Sequence, residues 1–140
     1  MTLPRIVLDT NVLLVSVSAR SRYHWAFRAL IDQCATLCLS TEIALEYEEV
    51  LAEHMGRAAA NDVMEFFEVA PNVEWVRSAY RWRLVTADPD DDKFADCAVA
   101  SGATLVSEDR HFDPIRDLDF PPLHVVGIEG FRQLLAEGAG

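Results

Sequence analysis

The sequence predicts an α/β domain of three layers, an α/β/α arrangement with a central parallel sheet, and three observations lead there. Short segments such as "RIVLDT", "ATLCLS", "ATLVSED" and "LHVVGI" open with continuous rather than alternating apolar residues, as strands covered on both faces do. Stretches with helical periodicity separate them, the order expected of a parallel sheet covered by its own crossover helices. With 140 residues, 51% hydrophobic and 25% charged, the chain suits one globular domain over residues 1–140.

The elements follow in order. "RIVLDT" is short, β-branched and bounded by polar residues, so it reads as a buried strand. Asp9, Thr10 and Asn11 then interrupt the apolar run "IVLDTNVLLVS", which places a carboxylate at the end of that strand. A helix is expected from about Tyr23 to Cys34, anchored in the core by Trp25, Phe27, Leu30 and Ile31. "ATLCLS" gives the second strand, and "TEIALEYEEVLAEHM" a helix capped by Thr41. A third helix runs from about Arg57 to Val69 and stops before Pro71. "WVRSAYRWRLV" is compatible with a helix, a short strand or both; its mix of arginine and aromatic residues suits stacking on bases, with a buried Tyr80 or Trp82 the favoured reading. "TADPDDD" is a turn-like acidic run, and the helix through "KFADCAVASG" ends at Gly102. Two more strands, "ATLV" and "LHVVGI", precede a closing helix in "GIEGFRQLLAEG".

Composition narrows the function. No apolar stretch approaches the roughly 18–20 residues of a membrane span, and no basic region, apolar segment and cleavage site mark a secretory signal. The three cysteines, Cys34, Cys38 and Cys97, sit in hydrophobic patterns and read as buried free thiols, which predicts a cytoplasmic location. A net charge of −11 argues against broad electrostatic binding of nucleic acid. It leaves room for an enzyme that meets phosphate through a divalent cation, because the ion inverts the local sign. It also suits a basic protein partner.

Ligands of such sheets collect beyond the carboxyl ends of the strands. Asp9, Thr10 and Asn11, Ser40 and Thr41, and Ser107, Glu108 and Asp109 all fall at those ends. On the helix from Thr41, Ile43, Tyr47 and Val50 form an apolar stripe with Ala44 and Leu51 beside it. Glu46 is the acid nearest that stripe, roughly 40° from Val50 and about 7–8 Å along the axis from the helix start. Glu48, Glu49 and Glu53 read as a solvated face. In "DPDDDKFADCAVASG", Asp91 shares a face with Phe94, Ala95 and Ala98, Asp90 lies at a neighbouring angle, and Asp92 and Asp96 fall towards the other side. Asp109 ends a strand, with Asp113 as a nearby substitute. Asn11 and Ser107 are neutral groups suited to orienting the acids, bound water or substrate.

These residues resemble the PIN domain family of metal-dependent ribonucleases. "VLDTNVLL" is similar to the family's opening strand motif, "LEYEEVL" to its segment with an inward Glu, and "DPDDDKFADCAVASGATLVSED" to its run from the third acid to the fourth. The resemblance spans about residues 5 to 115 and is nearest to bacterial PIN proteins that act as toxins of toxin–antitoxin pairs, of the VapC type. It implies Asp9, Glu46, Asp91 and Asp109 as the catalytic quartet and selects Asp91 over Asp90. Asp9, Asp91 and Asp109 are the implied metal ligands, with Asp9 and Asp91 expected to hold the principal ion and Asp109 and Glu46 to shape the second side or orient water. Where the family reads Thr-Gly-Asp, this chain has Ser107-Glu108-Asp109, which adds a charge beside the site.

Hard oxygen ligands suit Mg²⁺ or Mn²⁺. The resemblance implies hydrolysis of RNA to 5′-phosphate and 3′-hydroxyl ends, an RNA substrate, a cognate antitoxin protein and a homodimer. Arg20, Arg22, Arg110 and His111 are candidates for holding phosphates at the rim. The alternative is a catalytically silent PIN-like scaffold regulated by a protein partner. A phospho-acceptor receiver domain needs an acidic pair after the first strand and a lysine on a late one. Here Asp9 stands alone and the one lysine, Lys93, precedes the late strand. A dinucleotide binder would need a glycine-rich loop that is absent.

Overall fold

The computed structural model describes residues 2–139. Six strands form the sheet: β1 (Arg5–Leu8), β2 (Thr36–Leu39), β3 (Val73–Trp75), β4 (Thr104–Val106), β5 (Asp117–Leu118) and β6 (Leu123–Val126). Their spatial order is β3-β2-β1-β4-β6-β5. The β1–β2, β2–β3, β1–β4 and β4–β6 pairs are parallel, in register at Ile6 with Leu37, Leu37 with Val73, Leu8 with Val106, and Val106 with Val126. Ile6, Val7 and Leu8 are all fully buried. Successive strand residues point to opposite faces, so both faces of the sheet at β1 are covered.

Six α-helices flank the sheet: α1 (Thr10–Val17), α2 (His24–Ile31), α3 (Thr41–Met55), α4 (Arg57–Val69), α5 (Asp92–Ser101) and α6 (Ile128–Ala139). Helix α5 packs on β1, β2 and β4, α6 packs on β4, β6 and α2, and α1 to α4 pack one on the next through α1–α2, α1–α3 and α3–α4 contacts. On α3 the buried stripe is Ile43, Ala44, Tyr47 and Leu51, with Val50 at its half-exposed margin. Gly102 ends α5 in the left-handed conformation, φ 68°. There a residue with a Cβ would be strained.

The structure departs from expectation at several points. The sheet is not wholly parallel, because β5 pairs antiparallel with β6 at one edge. Helix α1 begins directly after Asp9, in a stretch whose unbroken apolar character hid any helical period. The cap of α3 is Ser40, whose Oγ accepts the Ile43 N–H at 3.3 Å, rather than Thr41. Helix α2 stops at Ile31, three residues early, and Gln33 turns the chain through a positive φ of 59°. That turn leaves Cys34 exposed and Ile31 two-fifths exposed, whereas Cys38 and Cys97 are buried as expected. Beyond β3, residues 76–88 form no helix or strand. Tyr80 stands 65% exposed there and Trp82 is half-buried, against the expectation of a buried aromatic.

One buried contact fixes the strand end that carries Asp9. The Tyr47 hydroxyl, fully buried, donates to the Leu8 carbonyl at 2.6 Å. Substitution Tyr47→Phe leaves that carbonyl without its partner, and urea unfolding is expected to show a loss of about 1–3 kcal/mol.

Candidate metal centre

From β1 the chain crosses to β2 on one side, and β4 later adds on the other, so the β1–β4 boundary is the switch point of the sheet. Asp9 lies there, one residue beyond β1. Its N–H continues the ladder to the Val106 carbonyl at 3.0 Å, and the residue is 5% exposed. Ser107, fully buried beyond β4, donates through Oγ to Asp9 Oδ2 at 2.7 Å and accepts the Asp109 N–H at 3.0 Å. The Ser107 hydroxyl, 98 residues from Asp9 in sequence, thus couples the first acid to the last.

The other acids arrive from helix starts. Asp91 ends the 3-10 turn Pro89–Asp91 and stands at the N-cap of α5. Asp109 caps a second 3-10 turn, Arg110–Ile115, its Oδ1 accepting the His111 N–H at 2.9 Å. Glu46, in the second turn of α3, accepts the Thr10 hydroxyl and pairs through Oε1 with Lys93 Nζ at 2.8 Å. His111 Nδ1 lies 3.1 Å from Asp91 Oδ2, 3.4 Å from Asp109 Oδ1 and 3.9 Å from Asp88 Oδ2.

Burial raises the pKa of Asp9, and the charges of Asp109 and Glu46 push it the same way, against the Ser107 hydroxyl and the Asn11 backbone N–H. Asp91 is pushed up to about 6, mainly by burial and further by Asp88, Asp9 and Asp109, while the hydrogen bond to His111 opposes the rise. The His111 pKa is raised, first by that same bond and then by Asp109, Asp91 and Asp88. Asp9 and Asp91 therefore resist ionising beside the other acids, the condition under which a cation is most strongly held.

Asp9 thus lies within electrostatic reach of Glu46, Asp91 and Asp109, and Asp91 within reach of Asp109. Ser107 touches Asp9 directly, whereas the Asn11 side chain is exposed and its contribution comes from its backbone amide. Asp90 is exposed, and Asp113 pairs with Arg116 at 2.7 Å, outside the cluster. Asp96 is buried and Asp92 half-buried on the other side of α5. Glu108, the added charge, turns away and accepts the Ile128 N–H at 2.7 Å at the start of α6. Gly127 makes room for it, since a Cβ there would lie 2.7 Å from Glu108 Oε1.

Among the described residues, Asp88, Asp91 and His111 form the group whose ligand atoms already lie within 4.8 Å of one another and could hold a metal. Only Asp91 belongs to both this group and the expected trio of Asp9, Asp91 and Asp109. Asp88 was missed in the sequence because it reads as one acid of a turn. His111 was read as a rim group for phosphate, and its spacing of two from Asp109 was the available clue.

Residues 5–111 match the sequence profile of the PIN domain. The chain belongs to the PIN domain family. No curated protein is significantly similar to this PIN domain in sequence. Among solved structures it is similar to VapBC2 from Rickettsia felis bound to a DNA fragment from its promoter, with a TM-score of 0.60 at 15% identity, covering 88% of this chain and 98% of that one. It is similar to VapC20 of Mycobacterium tuberculosis, a sarcin-ricin loop cleaving toxin, with a TM-score of 0.59 at 17% identity over 78% and 93% of the two chains. FitAcB from Neisseria gonorrhoeae follows at 0.55 and 17% identity, over 89% and 98%. At these identities the likeness is one of fold.

The raised pKa of Asp91 sets a sign for stability. Folding favours its protonated form, so its contribution is full below the ordinary 3.8 and is lost as pH rises through about 6. Asp9, also raised, acts in the same sense, and His111 contributes below 6.5 and loses that as pH passes its own raised value. Calorimetry of the metal-free PIN domain is expected to show these groups raising Tm by a few degrees between about pH 7 and about pH 5, with Mn²⁺ raising Tm more at the higher pH.

Proposed function

We propose that this PIN domain is a Mg²⁺- or Mn²⁺-dependent endoribonuclease and the toxin of a toxin–antitoxin pair, with a cognate antitoxin as its partner and a homodimer as its assembly. One observation carries the reading: four carboxylates from four separate segments converge at the switch point of the sheet, where burial and mutual repulsion raise Asp9 and Asp91. Carboxylate oxygens with one imidazole are a donor set that fits a hard divalent ion. Asp9, Asp91 and Asp109 are the residues that would hold it, with Asp88 and His111 at its outer side.

When bound, such an ion supplies a water of lowered pKa and a contact for the scissile phosphate. The chain's own groups do the rest. Ser107 fixes the orientation of Asp9, and Thr10 fixes that of Glu46. Glu46 would orient the attacking water, and Lys93, 2.8 Å from it, would add positive charge beside an incoming phosphate. The products expected are a 5′-phosphate and a 3′-hydroxyl. The alternative, a silent scaffold regulated by a partner, draws support from Lys93, which already pairs with Glu46, and from His111, whose ring nitrogen lies beside Asp91 and Asp109.

Incubating the protein with single-stranded RNA and Mn²⁺ decides between them. Cleavage is expected with the wild type, and Asp9→Asn should lower the rate roughly 100-fold or more. Equal cleavage by the two proteins would trace to contamination and end the enzymatic reading.

A further inference from the structure

Beside the acid cluster runs a groove of about 730 Å³ between the segment 76–86 and the starts of α3 and α5. Arg77, Arg81, Arg83 and Lys93 line it, four of the twelve Lys and Arg residues of a chain whose net charge is −11. Among the described residues, none of the three arginines lies within salt-bridge distance of a carboxylate. The groove's acids are partly spoken for. Asp96 Oδ1 accepts the Trp82 N–H at 3.1 Å and Asp92 Oδ1 the Val85 N–H at 2.9 Å, so both pin the arginine-bearing segment to α5. Glu42 and Asp90 stand exposed at the edge. Ser78 Oγ, also lining the groove, is shielded from solvent and has no protein partner.

The same segment carries an exposed aromatic cluster. Tyr80 and Trp82 lie with ring centroids 4.5 Å apart, and Phe120 meets Trp82 edge-on at 5.6 Å. Tyr80 is 65% and Phe120 80% exposed, a large apolar surface to leave in water. Unpaired guanidinium groups beside exposed rings are the chemistry that binds a single polynucleotide strand, phosphates on the former and bases on the latter. Lys93 joins this surface to the acids, since it lines the groove and pairs with Glu46.

We propose that segment 76–86 with Phe120 is a track for single-stranded RNA, holding phosphates on Arg77, Arg81 and Arg83 and stacking bases on Tyr80 and Phe120, and that it feeds the strand past Lys93 to the acid cluster. The track deepens the ribonuclease reading and rests on it for the identity of the strand.

The test measures anisotropy of a fluorescein-labelled, unstructured RNA of about 12 nucleotides on the Asp9→Asn background in Mg²⁺, where the strand stays intact. Arg77→Ala/Arg81→Ala/Arg83→Ala is expected to weaken binding at least about tenfold and to flatten the slope of log K against log salt by roughly 2. Tyr80→Ala should weaken binding about tenfold with the slope unchanged. The triple Lys variant, which keeps the charge, should keep the slope, and it carries the test together with Tyr80→Ala if the Ala variant loses its helical circular dichroism. Parent-like affinity and slope in the folded Ala variant would overturn the track, as would equal competition by a duplex of the same sequence. The two readings fail separately. Wild type that cleaves while the arginine variant binds normally leaves the enzyme without this track. Wild type that never cleaves, with binding that follows the arginines, leaves the track without the enzyme.

Discussion

The structure is organised around a carboxylate that ought not to be where it is. Asp9 is 5% exposed at the centre of a parallel sheet, and its contacts are the Ser107 hydroxyl and the dipole of a nearby backbone N–H, not a basic side chain. Burying a charge without a countercharge costs several kcal/mol even after relaxation. Neutral donors return part of this, and the rise in its pKa registers what they do not. Lys93 serves Glu46 instead, and the His111 imidazole lies beside the Asp88, Asp91 and Asp109 carboxylates. Positive charge is missing where burial is deepest.

Rigid parts hold this costly arrangement in place. Asp9 and Ser107 both extend hydrogen-bonded strands, Asp9 through the Val106 carbonyl and Ser107 through the Val126 carbonyl at 2.9 Å. Tyr47 clamps the last carbonyl of β1 from α3, the helix that also presents Glu46 one residue earlier. Asp91 and Asp109 each begin a helical turn, where free N–H groups favour a negative side chain. The acids therefore keep their relative positions through the secondary structure and do not depend on a flexible loop.

Much of this was legible in the sequence, for a physical reason. Strands buried on both faces must be continuously apolar, so "RIVL" and "ATLV" betray themselves, and a polar residue directly after such a run must sit at the edge of the sheet. The period of α3 separated Glu46 from Glu49 and Glu53 by angle alone. Helix α1 escaped because "NVLLVSV" buries Val12, Leu13 and Ser16 and has no polar face from which to read a period. Strand β5 is two residues long and exists only by pairing with β6. Asp88 and His111 join the cluster through the path of two short 3-10 turns, which nothing in their local sequence dictates. Residues 76–86 were ambiguous for the same kind of reason. Their shape is set by hydrogen bonds to Asp92 and Asp96 on α5, carboxylates that the sequence assigned only to the side of α5 away from the acids.

That segment also reconciles the net charge with a polyanionic ligand. Whole-molecule charge governs long-range steering, and −11 disfavours it. Yet at physiological salt a charge is screened beyond about 8 Å, so a strand seated in the groove responds to Arg77, Arg81 and Arg83 far more than to acids on the opposite surface. Four acids also line the groove: Asp92 and Asp96 each turn Oδ1 to a backbone N–H, while Glu42 and Asp90 stand exposed at its edge. Lys93, which lines the groove and pairs with Glu46, links it to the cluster around Asp9 and Asp91, where a divalent ion would change the sign. On the proposed track, an acidic chain would bring phosphate to its most acidic point because three arginines that, among the described residues, have no carboxylate partner line the approach, and a divalent ion would reverse the sign at the destination.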